Sequence, residues 1–562
     1  MIRLFDSHIT RVQKELEGLW DFMPIGGDDY NITGQKYDYK LPVPGCWEMH
    51  PKFLTYRGKG VYRKIINTVE KDSLRFEFKG VSHTADVYFD GEKVGHHYNA
   101  YTPFSIVVPD VEAGEHELKV FVDNSFSKES SLHMANDYYT YGGLIRPVSM
   151  EIVKESFIER VEFKPLKLGG MWYADLTVVI NNVYGMQKNV EIKTQLDKFE
   201  KVDLGTISLE AKKLNFISKR VLFDDVSEWS ELSPVLYALK TEIFSGNDIK
   251  PFDDFIERVG FRIVEIIGQS IFLNGSEIKL KGFNRHEDYA LVGCSIPLQL
   301  MINDIEIIKE SGANSIRTCH YPNDERFLDL CDENGILVWE ENHARGLSLE
   351  NMQNPNFDVQ CEDCNREMIE NHVNHPSIII WGLLNECASN TPVGREKYKN
   401  QINQIRSLDS SRPITFASCQ NFSDICFDLC DLISLNIYSG WYTADDTLEY
   451  YDKLYAWIQL NGGKDKPIIL SEFGAAAIYG YRDVSRVKWS EEGQADILDT
   501  CLSVYMKRTE MAGTYIWQFC DCRVTQEGDW FRSRARSRNN KGIVDEYRRP
   551  KLAFEIVKKH YK

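Results

Sequence analysis

No stretch of this sequence approaches the roughly 20 apolar residues that a membrane-spanning helix needs. Its start, MIRLFDSHITRVQKELEGLW, also lacks the apolar run behind basic residues that marks a secretory leader. Positive charge is in deficit: 66 Lys and Arg stand against 84 Asp and Glu, a net charge of −18. Such a surface repels phosphate and argues against nucleic-acid binding, although a local cluster of cations can still hold a small anion. A disulfide pattern is missing as well. Thirteen cysteines is an odd number, and without a leader they read as reduced thiols in a cytoplasm. Cys361 and Cys364 form one CxxC without the second pair of a structural zinc site, so small buried apolar residues are expected there. Apolar residues (43%) and aromatics (12%) are not lacking, which excludes disorder. A chain of 562 residues exceeds one core and implies several domains.

The first part reads as short strands. GVYRKIIN (60–67), SLRFEFKGV (73–81), TADVYFDGEKVG (84–95) and HELKVFVDN (116–124) alternate apolar and polar residues. Asp90-Gly91 between two such runs predicts a tight hairpin. A jelly-roll β-sandwich over 1–153 fits this spacing. FIERVEFKPL, YADLTVVINN, KNVEIKTQL and LYALKTEIF continue the pattern and predict an immunoglobulin-like sandwich over 154–265.

After residue 266 the pattern changes to apolar runs alternating with amphipathic helices. Eight candidate strands follow: 278–287, 313–322, 336–343, 377–386, 413–418, 432–438, 467–474 and 513–521. Eight strands over roughly 290 residues predict a catalytic (β/α)8 barrel across 266–562. Their ends carry polar clusters such as RHE, CHYP, EENH, LNE and SEFG. Barrel enzymes keep their chemistry at the C-terminal ends of the strands, so the site is expected at that rim.

Two carboxylates end buried runs there: Glu386 after IIIWGLLN and Glu472 after IILS. They close the fourth and seventh strands and face each other across the mouth. Retaining glycosidases need two carboxyls about 5 Å apart. Glu287, Glu340 and Glu341 are competing rim carboxylates, for which a supporting role is expected.

VGFRIV, FLNG and LKGFNRHED within 259–288, NSIRTCHYP (314–322), WGLLNE (381–386) and SEFG (471–474) carry a resemblance to glycoside hydrolase family 2. That family includes β-galactosidases, β-mannosidases and β-glucuronidases, and it shares this domain order. The resemblance implies Glu386 as acid/base, Glu472 as nucleophile, Asn385 on the sugar 2-hydroxyl and Tyr438 orienting the nucleophile. Cys387 departs from the Pro that many members have after the Glu. Asn539 and Lys541 in RSRNNKG resemble the Asn-x-Lys by which β-glucuronidases hold a sugar carboxylate, a task suited to a full charge beside a directed donor. NIYSGWY (436–442) and ANDYYTYGGLIRPV (135–148) resemble segments of the same bacterial branch. They place Asn436, Tyr442 and Asp137 near the sugar, with Asp137 toward the 4-hydroxyl. His320 and Trp517 also fall at sugar-contacting positions.

Arg345 stands where many β-glucuronidases have a small or apolar residue. Either it serves an axial 4-hydroxyl and admits galacturonides, or it is a surface arginine in a salt bridge. The short stretch after Gly346 suggests an open mouth. The expectation is therefore an exo-acting retaining β-glucuronidase, with β-galacturonidase or dual hexuronidase activity as the alternative. A neutral-sugar relative and a non-catalytic carbohydrate-binding protein stand further off. No metal or organic cofactor is required by this chemistry, and the resemblance suggests a homo-oligomer, tetramer or dimer.

Overall fold

A computed structural model describes residues 2–26, 36–246 and 248–562. Residues 1 and 27–35 of the first expected domain and residue 247 of the second lie outside the described residues.

The first unit packs a four-stranded sheet (Val12–Glu15, Val148–Val153, Asp72–Phe78, Phe104–Val111) on a six-stranded one. Asp90 and Gly91 take positive φ, 50° and 86°, and join Thr84–Phe89 to Glu92–Tyr98 as the sequence predicts. Alternation along the strands puts Leu74, Phe76, Phe78, Val120 and Val122 into one core between the sheets. Sheets of three and four strands between Ser156 and Val259 form a second sandwich around Val161, Leu176, Ile192 and Phe261.

The barrel strands are Leu280–Asn284, Ser315–Thr318, Leu337–Glu341, Ile378–Gly382, a split fifth strand (Ile414–Thr415 and Ala417–Ser418), Ile433–Asn436, Ile468–Phe473 and Met511–Ile516. Parallel pairing runs from one half of the fifth strand round the ring to the other half, so the barrel closes. Amphipathic helices cover it. Leu298–Glu310, for example, buries Met301, Ile305 and Ile308 at helical spacing. The helix Glu325–Asn334 ends at Gly335, whose φ of 66° needs no Cβ. A small three-stranded sheet (Val264–Ile267, Ser270–Leu273, Ser276–Ile278) and Trp229 seal the lower end against Leu337, Trp339 and Ile469. Cys361 and Cys364 pack in the hydrophobic layer between strands and helices. Among the described residues, no helix is long and apolar enough to cross a membrane.

The first sandwich lays one loop over the barrel mouth, and buried polar contacts fix it there. The Tyr138 hydroxyl lies 2.9 Å from Nε2 of His343, and the Tyr141 hydroxyl donates to Asp288 at 2.9 Å. Arg146 reaches into the barrel, donating to Glu287 and to the carbonyl of Pro322, each at 2.7 Å. Removing one partner of such a pair strands the other in a poorly solvated site. Arg146→Ala is expected to cost about 3–5 kcal/mol, seen as a lower midpoint in urea unfolding, and to loosen the loop that carries Asp137.

Candidate active site

The seventh strand holds Glu472 rigidly, with only 4% of the residue exposed. Its Oε1 accepts from Nη1 of Arg317 at 3.0 Å, and its Oε2 accepts from the Tyr438 hydroxyl at 2.8 Å. Burial, and then the nearby charge of Glu386, pushes this carboxyl up to about 8 against the opposing pull of Arg317 and Tyr438. The hydrogen bonds from Arg317 and Tyr438 favour its ionised form.

Glu386 lies four residues beyond the fourth strand at a φ of 52°, with its backbone N–H donating to Ala417. Its Oε1 accepts from Nδ2 of Asn436 at 2.9 Å, and its side chain is 21% exposed. Asn436 is held in turn by the Ser471 hydroxyl at 2.8 Å. Asn385 accepts from Arg317 through Oδ1 at 2.8 Å, while its buried Nδ2 has no partner among the described residues. That N–H is free to donate to a sugar hydroxyl, as the resemblance implies.

A second cluster gathers around Asp137. Arg345 donates to its Oδ1 at 3.1 Å, while Arg534 and Asn539 donate to its Oδ2 at 2.9 and 3.1 Å. Burial would raise the Asp137 carboxyl, but Arg345, Arg534 and Lys541 outweigh it and bring it down to about 2. Arg345 also donates to Asn136 at 2.7 Å and stands 3.8 Å from Oε2 of Glu386. It is thus a pocket residue, and the surface alternative is set aside. Lys541 is 1% exposed and makes no ion pair among the described residues. Its ammonium has a long contact of 3.5 Å to Asn539 and lies 5.2 Å from the centre of the Tyr442 ring.

Trp517 and His320 stack with centroids 5.1 Å apart, and Nδ1 of His320 is fixed by Glu341 at 2.8 Å. Tyr442 is 44% exposed at the rim, its hydroxyl accepting from Arg534 at 3.3 Å. All twelve residues singled out from the sequence thus lie at the barrel mouth or in the contact networks around it. Glu340 pairs with His372 at 2.9 Å and Glu287 with Arg146, which are supporting roles.

Sequence reasoning missed Arg317, Asn136 and Arg534. Arg317 had a usable signal, a charge inside the short barrel strand SIRT that must have a buried partner. Arg534 was visible only as one of several arginines in a basic loop, and Asn136 carried no signal.

Residues 264–562 match the family model described as glycosyl hydrolases family 2, TIM barrel domain, and residues 31–153 match that family's sugar binding domain. A β-glucuronidase of Streptococcus agalactiae is 26% identical over 98% of this chain and 96% of its own. One from Pongo abelii is 32% identical over 98% of this chain and 91% of its own. The crystal structure of a family 2 β-galacturonidase from Eisenbergiella tayi, bound to galacturonate, has 47% identity and a TM-score of 0.95 over 100% of this chain and 99% of that one. The chain belongs to glycosyl hydrolases family 2 and is a glycoside hydrolase.

Proposed function

We propose that the chain is an exo-acting, retaining β-hexuronidase. Glu472 attacks the anomeric carbon of a terminal β-D-uronide while Glu386 protonates the leaving oxygen. Glu386 then acts as base for the water that releases the sugar from Glu472. Asn385, Asn436, Tyr438, His320 and Trp517 position sugar and carboxylates.

The uronide reading rests on Lys541, a buried cation that pairs with no carboxylate among the described residues. The surrounding charges support it. Arg317, Arg345, Arg534 and Lys541 face Asp137, Glu341, Glu386 and Glu472, one of which carries the catalytic proton. One positive charge is left over, and a sugar carboxylate balances it. Asn539, held between Asp137 and Lys541, supplies the directed donor.

Glucuronides and galacturonides both meet this requirement, and the galacturonide is the preferred substrate in this reading. Arg345 is the observation that favours it: its guanidinium joins the cluster around Asp137, the residue matched to the 4-hydroxyl. The 47% identity to a protein named β-galacturonidase agrees. The β-glucuronidase names of the other relatives support glucuronides as the second substrate. Thirteen unpaired cysteines suit a reducing cytoplasm.

A panel of aryl β-glycosides tests the sugar. The galacturonide and glucuronide should be cleaved, and the galactoside and mannoside hardly at all. Lys541→Ala should lose roughly 100-fold or more in kcat/KM on uronides, as expected for stranding a desolvated charge partner. Arg345→Ala should lower galacturonide turnover more than glucuronide turnover. A Lys541→Ala enzyme with unchanged rates would point instead to a neutral sugar.

A 2-fluoro uronosyl inactivator tests retention. Mass spectrometry should find the label on Glu472, and a label elsewhere would overturn the assignment.

The Glu472 shift also has a stability consequence. Its folded value of about 8 lies above the ordinary 4.5, so the folded state holds a proton that the unfolded state releases. Stability from this group is present at low pH and is lost as pH rises from about 4.5 to 8, at up to about 1.4 kcal/mol per pH unit. Thermal midpoints followed across that window should fall less steeply for Glu472→Gln than for the unaltered protein.

A further inference from the structure

Three buried side chains close to Glu472 form a set of ligands that hydrolysis does not need as a set. His286 follows the first barrel strand, Cys319 and His320 follow the second, and one ligand atom of each lies within 4.8 Å of the other two. All three residues are buried. Nε2 of His286 and Nε2 of His320 are buried without a hydrogen-bond partner among the described residues, whereas both Nδ1 atoms are engaged. Nδ1 of His320 lies 2.8 Å from the Glu341 carboxylate, and Nδ1 of His286 lies 3.2 Å from the Tyr321 hydroxyl. A carboxylate holding one nitrogen of an imidazole leaves the other nitrogen with a lone pair, the support that metal-binding histidines commonly have.

The rings are fixed in place. His320 stacks on Trp517, and His286 stacks on Tyr138 with centroids 4.6 Å apart. Oε1 of Glu472 is 3.9 Å from Nε2 of His320, a carboxylate oxygen within reach of a fourth position. A second cluster, Asp329, Asp332 and His375, differs in having its groups already matched. Arg3 donates to Asp329, and His375 and the N–H of Ser377 engage Asp332.

We propose that His286, Cys319 and His320 form an inhibitory site for zinc-class divalent ions, completed by Glu472 or a water molecule. Two imidazole nitrogens and a sulfur suit Zn2+, whereas Mg2+ and Ca2+ prefer oxygen. As the Zn–S bond forms, the Cys319 thiol gives up its proton to solvent, so affinity rises with pH. Once bound, the ion occupies Nε2 of His320, 3.9 Å from Oε1 of Glu472, and ties down that carboxylate, so metal and substrate exclude each other.

The test uses the full-length enzyme stripped of metal. Calorimetry with Zn2+ should give one ion per chain, with hydrolysis lost on binding and restored by a chelator. Co2+ in its place should give the near-ultraviolet absorption of a thiolate–cobalt bond, a readout on the unaltered protein that does not depend on any variant folding. Cys319→Ser should keep its hydrolysis in metal-free buffer, lose the cobalt band and weaken Zn2+ binding by about tenfold or more.

Wild-type inhibition in Cys319→Ser would overturn the proposal, as would its disappearance in Cys419→Ser, the variant of the one exposed cysteine among the described residues. Failure of Zn2+ to bind, or binding without inhibition, would overturn it equally. Binding is measured without substrate, so the outcome stands apart from the uronide assignment.

Discussion

The site is organised by one buried guanidinium. Arg317 donates through Nε and Nη2 to the two oxygens of Glu341 at 2.9 and 2.8 Å. Nη1 serves Asn284 at 2.8 Å and Glu472 at 3.0 Å, and Nη2 also reaches Asn385 at 2.8 Å. Its plane lies over the Trp339 indole, 4.7 Å from the ring centre. A charge so deeply placed is tolerable only because its N–H groups have partners and two carboxylates oppose it. The partners come from the first, third, fourth and seventh strand ends, so one side chain sets their spacing. A lysine, with a point charge and no planar fork, could not hold Glu341 through two oxygens while orienting both Glu472 and Asn385.

The second organising group comes from outside the barrel. Asp137 belongs to the first sandwich, yet it gathers Arg345 from the third strand end and Arg534 and Asn539 from the last loop. The donors around it would otherwise repel one another. With Asp137 among them, they become a preorganised set at one end of the pocket. Arg345 then stands between the two clusters, bonded to Asn136 and Asp137 and 3.8 Å from Glu386. In the proposed mechanism Glu386 must carry a proton, which a cation bonded to it alone would disfavour, and the two acceptors from the first sandwich draw that charge away from it.

The fold was largely legible because its signals are local. The Asp90-Gly91 hairpin, the alternating strands and the apolar barrel strands ending in polar clusters are each written in consecutive residues. The fifth strand was less legible. PITFAS reads as one run, but it divides at Phe416, which packs on Tyr398 at 4.6 Å, and the ring closes through its two halves. In the site, an acid ending an apolar strand marked Glu386 and Glu472. Arg345 stayed open between surface and pocket because the residues that decide it, Asn136 and Asp137, lie more than 200 positions away. Arg534 is further still from Asp137, 397 positions. Arg317 escaped for a different reason: attention to strand ends passes over a charge inside a strand.

The acidity of the chain does not conflict with an anionic substrate. Charges on the surface are screened over about 8 Å at physiological ionic strength, whereas Lys541 is only 1% exposed. What matters there is the state of Lys541 when the pocket is filled. A uronide brings an anion to it. A neutral sugar would cover Lys541 while leaving it without a counter-charge, and that loss of solvation without compensation is the penalty. Selectivity for acidic sugars then comes as much from what neutral sugars fail to supply as from the attraction of a carboxylate, and it needs no steric barrier at C6.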